Sequence, residues 1–225
     1  MTTNAFDDDG FVFIDSLVDQ PMCTALATQL TSCVSGAGQR HLIDHPAVIE
    51  LLNNPRVITT IRNLLGEGTF AYKATLFDKH SERNWLVAWH QDASIPVAAN
   101  HNVQNWGGWS VKEGVDYVQP PDDLLANLVA LRIHLDDCSA ENGPLRVLVG
   151  SHKMGRMVQS EIALQANAFL EHTLVGGTGS AMLMRPLLIH ASSKALSDKR
   201  RRVLHLEFAA CALPMPLAWH RCIAL

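Results

Sequence analysis

Histidine is the residue whose number and spacing most suggest chemistry in this chain. The 225 residues include 11 histidines, and four of them stand two positions before an acidic residue, in the pattern His-x-Asp/Glu. About one such pattern is expected by chance in a chain of this composition, so the pattern alone is weak evidence. Side chains two apart in a β-strand share a face, so each pair could present an imidazole and a carboxylate to one metal ion.

The sequence context favours His90-Gln91-Asp92 as the metal-binding pair. It ends an apolar, strand-like run and precedes a long segment, residues 93–124, that we interpret as a loop excursion. His190 ends another apolar run and could be the third ligand, and Arg201 follows it by eleven residues. Two histidines and one carboxylate on one face form the triad that binds non-haem Fe(II) and leaves coordination positions open for a co-substrate and O₂.

The remaining His-x-acid pairs have plainer interpretations. His134-Leu135-Asp136 is a rival metal pair, for which we favour a structural role in a strand. His80-Ser81-Glu82 lies in a polar stretch and is predicted to be a solvated turn. His205 shares a strand face with Arg201, so it either lines the same cavity or packs as a core imidazole.

The apolar spacing predicts helices before residue 68 and strands after it. Helical spacing recurs from Met22 to Val34, Val48 to Leu52 and Val57 to Leu65, and a short strand is predicted over Gly10–Asp15. Later strands are predicted over Thr69–Phe77, Trp85–Trp89, Leu128–Leu135, Leu145–Val149, Ala181–Met184, Leu187–Ala191 and Val203–Ala209. Gln159–Leu170 has helical character.

We therefore expect a single domain over residues 1–225 that is mainly β. A mostly helical part, residues 1–67, would buttress a barrel or jelly-roll core over residues 68–211. The excursion 93–124 contains Trp106, Trp109, Lys112 and His101, which could contact a substrate, although the aromatic rings could equally anchor the segment to the barrel.

Composition excludes several classes of protein. With 48% hydrophobic and 18% charged residues, the chain can bury a sizeable core, so disorder is excluded. The formal net charge of −4 disfavours nucleic acid and anionic membranes as partners. The five scattered cysteines indicate reduced thiols, and no apolar run reaches membrane-spanning length, so we expect a cytoplasmic protein with no membrane association.

Several segments in order along the chain closely resemble the phytanoyl-CoA dioxygenase family of Fe(II)/2-oxoglutarate oxygenases. They are Trp89-His90-Gln91-Asp92, the run from Glu141 to His152, His190-Ala191-Ser192, and the run from Arg201 to His205. The resemblance extends from about Gly10 to Phe208. It implies a double-stranded β-helix, also called a jelly roll or cupin-like fold, with Fe(II), 2-oxoglutarate and O₂ as cofactor and co-substrates.

The resemblance also implies roles for particular residues. His90, Asp92 and His190 would be the catalytic iron ligands, and Arg201, helped by Ser192, would bind the distal carboxylate of 2-oxoglutarate. A guanidinium suits a carboxylate because it offers parallel charge-assisted hydrogen bonds. Arg132 aligns with a position beside the co-substrate, so it could contact a 2-oxoglutarate carboxylate if its side chain points inward.

The expected activity is hydroxylation of a small molecule with release of succinate and CO₂. In halogenase relatives a small residue replaces the carboxylate ligand, so Asp92 favours a hydroxylase. The alternative is a catalytically silent jelly-roll protein that binds a metal or an organic acid. The sequence does not name the substrate or the oligomeric state.

Overall fold

The computed structural model describes residues 3–33, 36 and 38–225. Its α-helices are α1 Thr3–Asp9, α2 Gln20–Thr31, α3 Pro46–Leu52, α4 Pro55–Leu65, α5 Asp122–Ala126 and α6 Gln159–Gln165, and short 3₁₀ helices span Ser151–Met154 and Ala166–Ala168. The strands are β1 Phe11–Ile14, β2 Gly38–Gln39, β3 Phe70–Lys79, β4 Val87–His90, β5 Ile95–Val97, β6 Gly107–Lys112, β7 Val115–Gln119, β8 Val129–His134, β9 Leu145–Leu148, β10 Glu171–Leu174, β11 Ala181–Met184, β12 His190–Ser192, β13 Arg201–Ala209 and β14 Ile223–Ala224.

Local sequence signals explain the helices of the N-terminal third. Proline lies in the first turn of α2, α3 and α4, where the missing N–H costs nothing. The side chains of Asp19, His45 and Asn54 each accept a hydrogen bond from the backbone of the helix that follows. Helix α4 ends at Gly66, whose φ of 80° suits glycine. Helices α2, α3 and α4 lie where helical spacing is predicted, except for Val34, which lies outside the described residues.

Two antiparallel sheets form the core of the fold. The larger has the order β1-β11-β8-β13-β3-β14, with β2 pairing to β3, and the smaller has the order β10-β9-β12-β4. Leu145 and Val147 of the smaller sheet pack with Met182 and Met184 of the larger sheet, so the two sheets face each other. This is the expected jelly-roll arrangement, mainly β with flanking helices.

The helices cover the outer face of the larger sheet. Leu204, Leu206 and Phe208 of β13 belong to the same apolar cluster as Leu26 of α2 and Leu51 of α3. Because neighbouring residues alternate between faces, Arg201, His205 and Glu207 of the same strand point away from the helices. Because the apolar residues of β13 pack against the helices, its polar residues point toward the space between the two sheets.

Residues 93–124 do not form the irregular excursion that the sequence suggested. They fold into a third antiparallel sheet, β5-β7-β6, followed by α5. The turn between β6 and β7 consists of Glu113 and Gly114, both with positive φ, as in tight hairpin turns. Trp106 and Trp109 pack against a buried apolar cluster, so these rings anchor the hairpin.

The other predicted strands differ from the observed ones mainly in their first and last residues. The run Leu187–Ala191 becomes strand only at His190, and the run Trp85–Trp89 only at Val87. None of the helices in the described ranges is both long and apolar enough to cross a membrane.

Candidate metal centre and active site

Three of the predicted site residues lie together where β4 and β12 pair. His90 ends β4 and is directly opposite His190, the first residue of β12. Asp92 follows two residues later, and its backbone N–H donates to the carbonyl of Pro186 at 2.9 Å. One ligand atom from each of His90, Asp92 and His190 can be chosen so that all three lie within 4.8 Å of one another.

The two imidazole rings are oriented by hydrogen bonds on the far side from Asp92. Nδ1 of His90 lies 2.9 Å from the carbonyl oxygen of Ala88, and Nδ1 of His190 lies 2.8 Å from that of Leu188. A carbonyl oxygen only accepts, so both Nδ1 atoms must carry the proton. Both Nε2 atoms are therefore left with free lone pairs, as metal ligation requires.

The distances within the trio fit a shared metal ion better than direct hydrogen bonds. Nε2 of His90 is 3.8 Å and Nε2 of His190 is 3.6 Å from the nearest carboxylate oxygen of Asp92. Ligands about 2.1 Å from a metal ion and at right angles to each other lie roughly 3 Å apart. Two imidazole nitrogens and one carboxylate are also the donor set of non-haem Fe(II) sites, so the residues fit that ion.

Burial and charge favour the ligating forms of these side chains. Burial lowers the pKa of His190 to about 3, which keeps its imidazole neutral at neutral pH. Burial alone would raise the pKa of Asp92, but the neighbouring His190, His205 and His90 outweigh it and hold the pKa below its usual range. A neutral imidazole thus faces a carboxylate anion.

Gln91, between the two ligands, points to the other side and ties the segment in place. Its amide nitrogen donates to the carbonyls of Gly155 and Leu187 at 2.8 and 2.7 Å. Its amide oxygen accepts from the backbone N–H of Met157 at 2.8 Å. These hydrogen bonds hold the backbone of the segment that carries the side chains of His90 and Asp92.

The ligand trio forms one wall of a cavity of about 100 Å³ between the two sheets, which we call the inner cavity. The structure places Arg201, Arg132 and Ser192, all of them buried, in the same cavity. The remaining lining residues are Phe77, Trp85, Val87 and Leu145.

The two arginines of the inner cavity have no acidic partner among the described residues. Arg201 donates from Nε to the carbonyl of Asn142 at 3.1 Å, and Arg132 lies 3.1 Å from Nδ1 of His205. Burial and the charge of Arg201 lower the pKa of Arg132 to about 10. Two buried guanidinium groups facing one small space make a site for an anion.

Lys79 contributes a third positive charge beside Ser192. Its ammonium lies 3.4 Å from Oγ of Ser192 and donates to the carbonyl of Ser193 at 2.6 Å. Burial and the charge of Arg201 lower its pKa to about 8.

The neighbours of Arg201 point elsewhere. Arg200 forms a bidentate ion pair with Asp78, with distances of 2.7 and 2.6 Å. Arg202 pairs with Asp136 at 2.6 Å and also donates to the carbonyl of Ala27 in α2. Of these three consecutive arginines, Arg201 is the one that lines the inner cavity.

The rival pair His134 and Asp136 is not brought together as a metal site in the described structure. Nδ1 of His134 lies 3.0 Å from Oγ of Ser180, and Asp136 is held by Arg202. The structure thus shows contacts of the structural kind that we favoured for this pair.

A buried network that the sequence does not predict lies on the other side of the ligand trio. Glu207 accepts from Tyr72 at 2.9 Å and from Lys73 at 2.6 Å, and Nε2 of His205 lies 3.3 Å from the same carboxylate. Burial would raise the pKa of Glu207, but Lys73 and His205 lower it to about 2. One sequence signal does point to this network. Lys73 and Thr75 are two apart in the predicted strand Thr69–Phe77, so one face of that strand carries two polar side chains.

A family model described as Phytanoyl-CoA dioxygenase (PhyH) matches residues 6–203. The chain is 27% identical over 184 residues to an L-proline trans-4-hydroxylase from Streptomyces griseoviridis, covering 70% of this chain and 61% of the hydroxylase. The chain thus spans less than two thirds of the length of that relative.

Two solved structures share the fold at low sequence identity. The apo form of EctD from S. alaskensis has a TM-score of 0.72 and 17% identity, covering 95% of this chain and 78% of EctD. SnoN, described as a non-heme alpha ketoglutarate dependent epimerase from nogalamycin biosynthesis, has a TM-score of 0.69 and 16% identity, covering 93% of this chain and 81% of SnoN.

Proposed function

The chain belongs to the phytanoyl-CoA dioxygenase family of Fe(II)/2-oxoglutarate oxygenases, and we propose that it oxidises a small molecule at a centre formed by His90, Asp92 and His190. The observation that carries the proposal is the convergence of these three side chains, with ligand atoms within 4.8 Å of one another. We also propose that residues 1–225 act as one domain, because β1 near the start of the chain pairs with β11 in the larger sheet.

The ligand residues would hold the iron and leave its remaining positions open. When bound, Fe(II) and 2-oxoglutarate would supply the chemistry for oxidising an unactivated C–H bond with O₂, with release of succinate and CO₂. The carbonyls of Ala88 and Leu188 fix the proton on Nδ1 of each histidine, so each Nε2 faces the metal position. His190 is buried, whereas His90 and Asp92 are about one third exposed, so the centre opens on their side.

The inner cavity would bind 2-oxoglutarate. Arg201 uses Nε for Asn142, which leaves both terminal nitrogens for a carboxylate. Ser192 offers a hydroxyl, and Arg132 offers a second guanidinium on the same cavity. A dicarboxylate would neutralise two buried cations that have no acidic partner among the described residues, which is why we assign all three residues to the co-substrate.

We propose hydroxylation as the outcome, rather than halogenation. Asp92 supplies the carboxylate ligand that a halogenase of this kind lacks. The relative described as a proline hydroxylase favours the same outcome, although SnoN is described as an epimerase. The net charge of −4 favours a small molecule over nucleic acid as the substrate.

The proposal can be tested by loading the protein with Fe(II) and 2-oxoglutarate without O₂. We expect the weak visible charge-transfer band of the iron chelate, and succinate formation once O₂ is admitted. His90→Ala should abolish both, whereas His172→Ala, at an exposed position on β10, should leave both unchanged. A folded, iron-replete wild type without the band would refute the proposed centre for iron and 2-oxoglutarate. A band without succinate would instead identify a binding protein that has lost turnover.

A further inference from the structure

A second cavity of about 330 Å³ lies on the other side of the ligand trio, and we call it the outer pocket. His90 and Asp92 line both cavities, so a molecule in the outer pocket would lie beside the proposed iron. The polar side chains that also line the outer pocket include Arg40, Lys73, Thr75, Lys112, His205 and Glu207.

Almost every charge around the outer pocket is already paired. Lys73 is 2.6 Å from Glu207, and Arg40 is 2.8 Å from Glu113. Asp92 would be neutralised by the metal ion. These pairs leave one cation to be accounted for, the ammonium group of Lys112.

Lys112 has no carboxylate within 4.0 Å among the described residues. Its half-buried ammonium donates to Oγ of Ser94 at 3.1 Å and lies 4.5 Å from the centre of the Tyr117 ring. Neither contact supplies a negative charge. A partly desolvated cation of this kind gains most from an anion that enters from the pocket.

The position of Lys112 is fixed by the hairpin that carries it. Lys112 ends β6, and its carbonyl oxygen lies 3.2 Å from Nε2 of His41. The next residue, Glu113, pairs with Arg40. These contacts tie the β6–β7 hairpin to the segment after β2, so the ammonium is held at the pocket wall.

Thr75 supplies a second, independent sign of a ligand. Its side chain lines the outer pocket and is 4% exposed, yet Oγ1 has no hydrogen-bond partner. A buried hydroxyl without a partner is costly and is usually satisfied by water or a ligand. Its cross-strand neighbour is His205, whose Nδ1 and Nε2 face Arg132 and Glu207, so His205 does not satisfy it.

We infer that the substrate carries a carboxylate, which Lys112 binds in the outer pocket, with Thr75 as a further polar contact for the substrate. This inference rests on the proposed function, because it places the substrate beside the proposed iron. A carboxylate suits the pocket better than a phosphate, because one ammonium matches one negative charge. A phosphate dianion would leave excess negative charge near Asp92 and Glu207.

The test compares carboxylates with their uncharged amides in calorimetric titrations of the protein loaded with Fe(II) and 2-oxoglutarate under anaerobic conditions. The probes are benzoate and benzamide, hexanoate and hexanamide, and L-proline and L-prolinamide. We expect at least one carboxylate to bind roughly tenfold or more tightly than its amide, as expected for a charge-assisted hydrogen bond. Equal binding within all three pairs would overturn the inference.

Variants at Lys112 then test whether this lysine causes the preference for a carboxylate over its amide. Lys112→Met should remove the preference, Lys112→Arg should keep it, and Lys153→Met, which removes a surface lysine paired with Asp8, should leave it unchanged. Thr75→Val should weaken binding of the preferred carboxylate several-fold. A preference that persists in Lys112→Met would refute the role of this lysine, and thermal unfolding of each variant would verify that it is folded.

The two proposals fail in different ways. The charge-transfer band of the wild type reports on iron and 2-oxoglutarate, whereas the carboxylate preference reports on Lys112. A wild type with the preference but no band would contradict the proposed function and keep the carboxylate site. A band without the preference would keep the enzyme and overturn the substrate class.

Discussion

Arg201 allows a sharp test of the proposed 2-oxoglutarate site, because arginines on both sides of it serve as matched controls. The change is Arg201→Lys, which keeps the positive charge but replaces a planar group with a single ammonium. If the inner cavity binds the distal carboxylate of 2-oxoglutarate, the variant should bind the co-substrate more weakly.

The expected size of the effect follows from the contacts of Arg201. The side chain is 3% exposed, and Nε is committed to Asn142, so two terminal nitrogens remain for the carboxylate. Lysine can replace one of those two bonds. A hydrogen bond to a charged group contributes about 1.5–3 kcal/mol, which corresponds to roughly 10- to 100-fold in affinity. We therefore expect the KM for 2-oxoglutarate to rise by roughly 10- to 100-fold, with a much smaller change in kcat at saturating co-substrate.

The assay measures initial rates of succinate formation against 2-oxoglutarate concentration for three variants. Arg200→Lys and Arg202→Lys should leave KM unchanged, since Arg200 pairs with Asp78 and Arg202 with Asp136, outside the inner cavity. An unchanged KM in Arg201→Lys, or an equal rise in either neighbour, would refute the assignment of the co-substrate carboxylate to Arg201.

Three further predictions concern stability and shape. Glu207→Gln should lower the free energy of unfolding by about 3–5 kcal/mol, because it leaves the ammonium of Lys73 without its carboxylate; a loss below about 1 kcal/mol in urea unfolding would show that the pair is dispensable. Burial lowers the pKa of His134 from 6.5 to about 4, so its contribution to stability should be complete above pH 6.5 and fall as the pH drops toward 4; unfolding at several pH values should show this slope, and His134→Gln should reduce it. Gly143→Ala should destabilise the protein by about 1–3 kcal/mol, because φ is +69° and the new Cβ would lie 2.5 Å from the carbonyl oxygen of Ser193; a Tm equal to wild type would contradict this.

Strand alternation explains how much of the candidate site the sequence predicts. His90 and Asp92 are two apart, so they share a strand face. Alternation also puts Arg201 on the opposite face from Arg200 and Arg202, but only the resemblance to the family selects Arg201 among the three. The apolar runs identify most of the strands for the same reason. The helical third was equally accessible, because its prolines and capping side chains are local signals.

The parts of the fold and of the candidate site that the sequence does not predict depend on contacts between distant parts of the chain. The pairing of β4 with β12 joins residues that are 100 positions apart, and no local pattern encodes that register. The charge pair between Lys73 and Glu207 likewise depends on the pairing of β3 with β13. The strands of segment 93–124 are hard to predict because they are short and interrupted by glycine and proline, although the Glu113-Gly114 turn is visible in the sequence.

The wall shared by the two cavities has a consequence for the design of inhibitors. Phe77, His90 and Asp92 line both spaces, so a bisubstrate ligand could carry a metal-chelating diacid head in one and a short anionic tail in the other. The head would depend on the metal ligands and on the two arginines of the inner cavity, whereas the tail would depend on Lys112 beside the turn of the β6–β7 hairpin. The two parts of such a ligand would therefore report on the two cavities separately.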